Sequence, residues 1–497
     1  MYLAILSGVL LAFAYPVFNL EFLAFLAFVP LFIAIKNSGP RRAFFISYLT
    51  GLVFFAITIY WLIHVTLIGL ILLVLYLALY FGIFGFLFKL VTGEPANRRT
   101  ISVPLIWVLL EYLRSMLITG FGWVFLGYSQ YLNLPFIQIA DITGVWGVSF
   151  LVMLVNVAIY NLLARKYPCH PEGMKCPKDL KVLRFAQNDI LLPFVLLLVS
   201  LTYGYYRLYL QPIASDLQPI RISLIQGNIP QYQKWDENFR ASILERYETL
   251  TKKAAKNKPD LIIWPETSVP GVIGEEPELL ARVLSLAKAV NTPILAGAVT
   301  SKELGVYYNS ALLISADGEI IRQYNKLHLV PFGEYVPLEK YFPFLRGLIG
   351  VPIGDFTAGR EYTIFELKTC HPERSEGSKD SSAFGVRMTG QSTVRFSTLI
   401  CFEDIIPGLS RRFVKEGAQF LVNITNDAWF MESSAPYQHA AASVFRAIEN
   451  RAPVVRAANT GFSCFIDPRG RIYDKVSDGK KDIFVVGYST KEIEVRK

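Results

Sequence analysis

Long apolar runs dominate the first 210 residues of this 497-residue chain. A run of roughly 20 apolar residues is long enough to cross a bilayer as a helix. The first run lacks a basic start and a small-residue cleavage site, which distinguishes it from a signal peptide. The pattern predicts seven membrane helices, near residues 2–18, 21–35, 43–63, 66–88, 101–118, 143–164 and 190–209.

Residues 211–497 instead alternate short β-type runs with stretches of helical period, which predicts an α/β domain with its site residues at strand ends. Turns at Asp317-Gly318 and Asp467–Gly470 predict hairpins. The predicted strands are Ile220–Ile229, Leu261–Glu266, Pro293–Val299, Tyr308–Ser315, Val394–Cys401, Phe420–Thr425, Val454–Asn459 and Ile483–Gly487. The predicted helices are 238–257, 275–290, 405–416 and 435–450.

The composition also indicates a membrane part and a soluble part. A hydrophobic content of 53% and a mean hydropathy of +0.38 are too high for a wholly soluble chain. We therefore expect a transmembrane helical domain over 1–210 and an α/β domain over 211–497, with an exposed insertion near 367–392. Five irregularly spaced cysteines do not suggest a disulfide framework.

The net charge of +9 does not indicate nucleic-acid binding, because the first 210 residues carry fourteen basic and seven acidic side chains and the remainder is nearly neutral. Positive charge in membrane proteins concentrates in cytoplasmic loops. Twelve basic residues follow the second, fourth and sixth predicted spans, and the alternate loops have none. This bias predicts a cytoplasmic N-terminus and a C-terminal domain on the opposite side. The twelve are Lys36, Arg41, Arg42, Lys89, Arg98, Arg99, Arg165, Lys166, Lys175, Lys178, Lys181 and Arg184.

Two features of the helical part depart from its apolar pattern. Glu111 and Arg114 share a face of the fifth predicted span, as a structural ion pair or as a polar wall near a lipid entrance. The loop Gly120–Gln130 contains Trp123 and Tyr128, which are typical of a lipid interface. The loop is therefore expected to line a route for lipid.

Candidate chemistry lies at three strand ends. Cys401 follows one apolar run, Glu266 ends another, and Lys326 precedes a further carboxylate, Glu334. A thiol, a base and a cation are sufficient for acyl transfer through a thioester. A buried Glu266 needs a partner such as Lys326, because an unpaired buried charge is costly. Taken alone, Cys401 is better explained as a small core residue, because buried cysteines are common.

Histidine chemistry is less well supported. Besides His371, residues 211–497 contain His328 and His439, and no cysteine-protease signature surrounds Cys401. Cys169–Glu172 and Cys370–Glu373 repeat the sequence Cys-His-Pro-Glu, but neither pair has the four ligands of a metal site. We expect both repeats to be exposed insertions and expect no metal or other cofactor.

The three segments resemble those of the nitrilase, or carbon–nitrogen hydrolase, superfamily, and with the apolar first half they resemble the apolipoprotein N-acyltransferases within it. Nearly the whole chain takes part, through a specific set of motifs. These are Leu117–Trp123, Gly127–Gln130, Gln226–Gln231, Lys234–Asp236, Trp264–Glu266, Asn325–Glu334, Cys401–Glu403, Asn423–Phe430, Arg446–Glu449 and Arg456–Gly461.

The resemblance implies an α-β-β-α sandwich in which Glu266 is the general base, Cys401 the nucleophile and Lys326 the group that stabilises the oxyanion. The implied reaction moves an acyl chain from phospholipid, through a Cys401 thioester, to the α-amine of a diacylated apolipoprotein. The implied enzyme is a multi-pass, monomeric protein of the bacterial inner membrane that acts on the periplasmic side.

Supporting roles follow from the same resemblance. Glu334 would hold Lys326, Trp235 would pack near the acyl entrance, and Glu403 would anchor a loop or the acceptor amine. The alternatives are surface salt bridges for the two carboxylates and a core position for the indole. Asn426 and Asp427 would shape the site through backbone contacts.

This chain departs from the family pattern in two places. Phe402 stands where the family often has tyrosine, so a hydroxyl is lost there. No apolar run follows residue 487, so we expect the tail to lie outside the membrane instead of forming an eighth helix.

Two other functions remain open from sequence. One is a membrane-tethered nitrilase-type amidase that uses water as its acceptor. The other is a non-enzymatic lipoprotein-binding module.

Overall fold

A computed structural model describes residues 1–497 except 92–95, 166–179, 212–215, 304, 338, 340, 342, 344, 345, 347–354, 371–390 and 497. Both Cys-His-Pro-Glu repeats lie outside the described residues apart from Cys370. The predicted insertion near 367–392 starts and ends within strands, and its central part also lies outside them.

Helices make up the first 210 residues, which we call the helical half. Its α-helices are α1 Tyr2–Phe13, α2 Val29–Ile35, α3 Pro40–Thr58, α4 Leu67–Val91, α5 Ala96–Arg114, α6 Leu134–Ile137, α7 Ala140–Arg165 and α8 Leu180–Tyr205. Short 3₁₀ turns occur at Glu21–Phe25, Tyr60–His64, Leu117–Thr119 and Leu126–Gln130, and a π-helical turn at Tyr206–Leu210.

Four helices among the described residues are long and apolar enough to cross a membrane, so the expected count of seven is not confirmed. The first predicted span contains only the twelve-residue helix α1. The second is divided between a 3₁₀ turn and α2, which has a proline in its first turn. Helix α5 carries Arg98, Arg99, Glu111 and Arg114. The four are Pro40–Thr58, Leu67–Val91, Ala140–Ala164 and Leu191–Leu210.

The C-terminal half, residues 211–497, contains two β-sheets. The strands are β1 Leu217–Gln226, β2 Leu261–Ile263, β3 Val272–Ile273, β4 Ile294–Glu303, β5 Val306–Ile314, β6 Ile320–Asn325, β7 Phe365–Cys370, β8 Gln391–Ile400, β9 Phe420–Thr425, β10 Val454–Ala458, β11 Cys464–Ile466, β12 Ile472–Lys475 and β13 Gly487–Arg496. The helices are α9 Gln231–Lys234, α10 Arg240–Ala255, α11 Pro277–Val290, α12 Pro407–Lys415 and α13 Ala435–Asn450.

The sheets form the two inner layers of a sandwich. The first has the order β13-β1-β2-β4-β5-β6 with β3 beside β4, and the second has the order β12-β11-β10-β9-β8-β7. Side chains alternate across each strand. In β2, Ile263 therefore packs in the core between the sheets, whereas Ile262 packs under the outer helices α10 and α11. This is the expected α-β-β-α sandwich.

The predicted C-terminal strand is misplaced. Residues Ile483–Gly487 were expected to form it because they are apolar, but the strand is β13, which pairs antiparallel with β1 over its whole length. Ile493 and Val495 face inward, and the charged residues Glu492, Glu494 and Arg496 that alternate with them face solvent. The tail therefore forms an edge strand of the first sheet.

Candidate active site

Three strand ends deliver the predicted trio to the space between the sheets. Glu266 follows β2, Lys326 follows the edge strand β6, and Cys401 follows β8 of the other sheet. Glu266 and Lys326 are 6% and 1% exposed, and Cys401 is half-buried. The structure thus brings together residues that lie 60 or more positions apart in sequence.

The Glu266 carboxylate is held from two sides. Oε1 accepts a 2.7 Å hydrogen bond from Asn309 Nδ2, and Oε2 accepts one of 2.8 Å from the backbone N–H of Asn426. Gly297 in β4 makes room for this turn, because a Cβ there would lie 2.2 Å from Pro265 O. The strand sequence therefore positions the carboxylate as a fixed proton acceptor.

Lys326 lies between two carboxylates. Its Nζ is 2.9 Å from Glu334 Oε2 and 3.5 Å from Glu266 Oε1. Burial alone would lower the pKa of Lys326, but the two carboxylates outweigh burial and raise it. Asn309 Nδ2 also donates to Glu334 Oε1 at 2.7 Å, so one amide bridges both acids. Lys326 is therefore a permanent cation.

Cys401 adopts a left-handed backbone conformation with φ of 52°. That region is sparsely populated by residues with a side chain, and it occurs at functional sites. Burial, followed by the charge of Glu266, raises the pKa of the thiol, while Lys326 opposes the rise. The resting thiol is therefore protonated and needs a base.

Glu403 is fully buried, which excludes the surface salt bridge. Its Oε1 accepts from the backbone N–H groups of Leu327 at 2.7 Å and His328 at 3.1 Å, next to Lys326. Tyr324 donates its hydroxyl to the same carboxylate at 2.8 Å. Burial raises the pKa of Glu403 to about 7, and these donors together with Lys326 limit that rise. Glu403 thus ties the lysine segment to the turn that carries Cys401.

A cluster of buried charged residues packs against the turn that carries Cys401. Arg456 lies 3.0 Å from Asp404 and 3.2 Å from Asp427. His439 lies 2.8 Å from Asp404 and 3.1 Å from Asp427. Burial and Arg456 would lower the pKa of His439, but the two aspartates outweigh them and raise it. The cluster is internally paired, as buried charges need to be.

The geometry does not support a cysteine–histidine protease. His439 Nε2 contacts the backbone oxygen of Cys401 at 3.1 Å, and no described histidine is hydrogen-bonded to the thiol. Burial and Lys326 lower the pKa of His328. Within the described ranges, no group of His, Cys, Asp and Glu side chains could hold a metal ion.

Trp235 and Phe402 are less deeply buried than Glu266 and Lys326. Trp235 is 48% exposed, which excludes the alternative of a core aromatic. Phe402 is half-buried against the core. Asn426, which is 4% exposed, contacts Glu266 through its backbone N–H, as predicted. The predicted backbone role of Asp427 is wrong, because its carboxylate pairs with Arg456 and His439.

The structure corrects two predictions for the helical half. Trp123 and Tyr128 are 4% and 3% exposed and pack on the C-terminal half, so they do not face lipid. Glu111 and Arg114, both described and both buried, do not form the predicted ion pair within 4 Å, and their alternative role as a polar wall near a lipid entrance stays a prediction. Glu111 Oε1 instead accepts from Leu126 N–H at 2.6 Å, and Arg114 lies over the Phe125 ring.

Sequence reasoning missed two polar residues of the site. Asn309 had no signal beyond its place in a predicted strand. Lys234, 4% exposed, donates from Nζ to the backbone oxygen of Glu266 at 3.0 Å. Burial lowers the pKa of Lys234 to about 8, although Glu266 and Cys401 oppose the change. The motif Lys234-Trp235-Asp236 was available as a signal for it.

Comparison with known proteins agrees with this division of the chain. Residues 221–495 match the carbon–nitrogen hydrolase family, and residues 7–158 match the apolipoprotein N-acyltransferase N-terminal domain. An amidase from Nesterenkonia AN1 aligns with 57% of this chain and 92% of its own, at 17% identity and a TM-score of 0.38. The family match shows that residues 221–495 are a carbon–nitrogen hydrolase domain.

Relatives along the full chain define the family more narrowly. An apolipoprotein N-acyltransferase from Geobacter metallireducens is 42% identical over 95% of this chain and 85% of its own length. One from Chlorobaculum tepidum is 31% identical over 95% and 87%. The chain belongs to the apolipoprotein N-acyltransferase family.

Proposed function

We propose that the protein transfers an acyl chain from a phospholipid to the α-amine of the N-terminal diacylglyceryl-cysteine of an apolipoprotein. The observation that carries the proposal is the convergence of Glu266, Lys326 and Cys401 between the sheets of a domain joined to apolar helices. The substrates are named by analogy with the relatives of this family. Membrane helices fit a donor and an acceptor that both carry lipid.

In the first step Glu266 accepts the proton of the Cys401 thiol as the sulfur attacks the ester carbonyl carbon. The C–S bond forms, and negative charge develops on the carbonyl oxygen. Lys326 stabilises that oxyanion. The C–O bond then breaks, Glu266 returns the proton to the departing alkoxide, and lysophospholipid leaves an S-acyl-Cys401 enzyme.

In the second step the acceptor amine attacks the thioester carbonyl. Glu266 takes a proton from the attacking nitrogen and delivers it to the Cys401 sulfur as the C–S bond breaks. The sum of both steps exchanges an ester for an amide, and atoms and protons balance using only the two substrates.

The domain arrangement is part of the proposal. We infer a membrane domain over 1–210 and a catalytic domain over 211–497 on the periplasmic side, supported by the basic residues of alternate loops. A cysteine placed at exposed Lys252 in α10 tests this orientation in intact cells. A membrane-impermeant maleimide should label it, and protection from the reagent would contradict the proposal.

The transfer itself is tested by incubating purified protein with acyl-labelled phospholipid and a diacylated lipopeptide. We expect a triacylated lipopeptide carrying the label in amide linkage. Labelled free fatty acid as the sole product would show that water is the acceptor and would overturn the proposal.

The role of Glu266 has its own test. Glu266→Gln keeps the hydrogen bond from Asn309 but cannot accept the thiol proton. We expect acylation of Cys401 to slow by about 10²- to 10⁴-fold. Acylation at the normal rate would mean that Glu266 is not the base.

A further inference from the structure

Helix α13 joins the nucleophile to the helical half. All its residues are buried except Tyr437 and Asn450, which are half-buried. At its C-terminal end Glu449 Oε1 accepts from the backbone N–H of Val145 in α7 at 2.9 Å, and Arg451, just beyond, pairs with Asp141 at 2.7 Å. The helix is therefore anchored on the membrane helices at this end.

The other end of α13 is anchored by Gln438. Its Oε1 accepts from the indole N–H of Trp61 at 3.1 Å and from that of Trp123 at 2.8 Å. Its Nε2 donates to the backbone oxygen of Thr58 at 2.9 Å. All three partners belong to the helical half, and both indoles are at most 4% exposed. One buried amide thus satisfies three buried polar groups of another domain.

The adjacent residue, His439, contacts the nucleophile. Its Nε2 lies 3.1 Å from the backbone oxygen of Cys401, and its ring packs on Trp123 at 5.1 Å between centroids. Asp404 and Asp427 fix the ring from either side. A shift of Trp123 or of Gln438 is therefore passed to the backbone of Cys401.

A second contact links the same two elements independently. Gly122 lies so close to the turn after Cys401 that a Cβ there would be 2.9 Å from Ile405 O. The loop Gly120–Gln130 therefore touches the nucleophile turn directly as well as through Gln438.

We propose that Gln438 is a positioning residue that, through Trp61 and Trp123 on one side and His439 on the other, sets the place of Cys401 relative to the membrane helices. The inference rests on the proposed function, because only a donor held in the membrane needs the thiol at a fixed position above it. A misplacement of about 1 Å can cost roughly 100-fold in rate.

Gln438→Leu and Gln438→Glu test the proposal at different levels. Leucine removes the shared acceptor and leaves two buried indole N–H groups without it, which is costly. Glutamate keeps that acceptor and replaces the Nε2 donor, which bonds to Thr58 O and Ser434 Oγ, by a carboxylate oxygen. It therefore removes the donor without the acceptor and is the second variant if the leucine variant does not fold. Tyr437→Phe is the matched control, because its hydroxyl bonds to Asp482 within the C-terminal half.

Each variant is measured with two reagents. Acylation of Cys401 by phospholipid in nanodiscs requires correct height above the bilayer, whereas alkylation of Cys401 by iodoacetamide requires only an accessible, reactive thiol. For both Gln438 variants we expect acylation to fall by roughly 10- to 100-fold with alkylation unchanged. Tyr437→Phe should change neither rate.

Two results would overturn the proposal. Equal losses with both reagents would show that Gln438 merely maintains the local fold of the site. Unchanged acylation in both Gln438 variants would show that the contact with the tryptophans has no positioning role.

Amide hydrogen exchange separates this inference from the proposed function, because it needs no substrate. Gln438→Leu should speed exchange in Tyr60–His64 and in Gly120–Gln130, and Tyr437→Phe should not. The wild type could form no thioester while hydrogen exchange in the Gln438→Leu variant changes as expected. In that case the proposed function is wrong, but the contact between Gln438 and the two tryptophans still links the two halves. Unchanged exchange in both segments would remove the link itself.

Discussion

Lys326 Nζ lies 2.9 Å from Glu334 Oε2, and both side chains are buried between the sheets. Because Glu266 is farther from the same ammonium, at 3.5 Å, Glu334 carries most of the pairing. Glu266 therefore remains available as a proton acceptor while Lys326 keeps its charge.

Glu334→Gln tests this division of labour. Without the Glu334 charge, the ammonium should move towards Glu266 and make that carboxylate a weaker base. We expect the first acylation step to slow by roughly 10- to 100-fold, less than the loss of about 10²- to 10³-fold that follows removal of a direct oxyanion donor. Single-turnover acylation followed by intact-protein mass spectrometry measures the rate. A rate equal to that of the wild type would show that Glu334 does not divide the pairing in this way.

Glu403 gives the site a pH dependence. Its pKa is raised to about 7, so the carboxyl gains a proton as the pH falls through neutrality. That proton would face the N–H groups of Leu327 and His328, which now donate to the carboxylate, and should loosen the segment that carries Lys326. Acylation should therefore slow below pH about 7.

Glu403→Gln is the test of that assignment. The variant should be slow at every pH and should lack the fall in rate below pH about 7, whereas Glu237→Gln, a change at an exposed residue, should match the wild type. A fall in rate that persists in Glu403→Gln belongs to another group.

The buried charge of Lys234 destabilises the folded state. A pKa lowered from 10.5 to about 8 corresponds to roughly 3 kcal/mol against the buried charge at neutral pH. The folded state binds fewer protons than the unfolded state between these values, so this group makes stability rise with pH across that window.

Lys234→Met should therefore raise the thermal unfolding midpoint at pH 7 and remove that rise with pH. It should also slow acylation, because the ammonium beside Glu266 and Cys401 is lost. Lys252→Met, on the exposed face of α10, should change neither. A destabilised Lys234→Met protein would contradict this interpretation.

Much of the C-terminal half could be predicted from the sequence because local patterns determine it. Strand β9 and helix α13 have their predicted bounds, and both predicted hairpin turns lie between paired strands. The three site residues converge because strands of a sandwich end near one another. Local periodicity was therefore sufficient to predict these strands, helices and turns.

Other features depend on partners that are distant in sequence. Strand β13 could have been recognised from the alternation of Ile493 and Val495 with charged residues, but the apolar run before it was a stronger local signal. Trp123 looked like an interfacial residue because its partner Gln438 lies 315 positions away. In the helical half, short turns and charged residues interrupt several of the apolar runs, so the runs alone predicted more membrane-spanning helices than the structure contains among its described residues. Asn309 had no local pattern at all.

The central claim is that Cys401 carries the acyl chain. Mass spectrometry of the Cys401 peptide from protein purified out of membranes tests it most directly, with Cys401→Ser as the control. We predict a fatty-acyl mass on Cys401 that hydroxylamine removes and that a diacylated lipopeptide discharges. An unmodified Cys401 in protein that still produces triacylated lipopeptide from phospholipid would contradict the account.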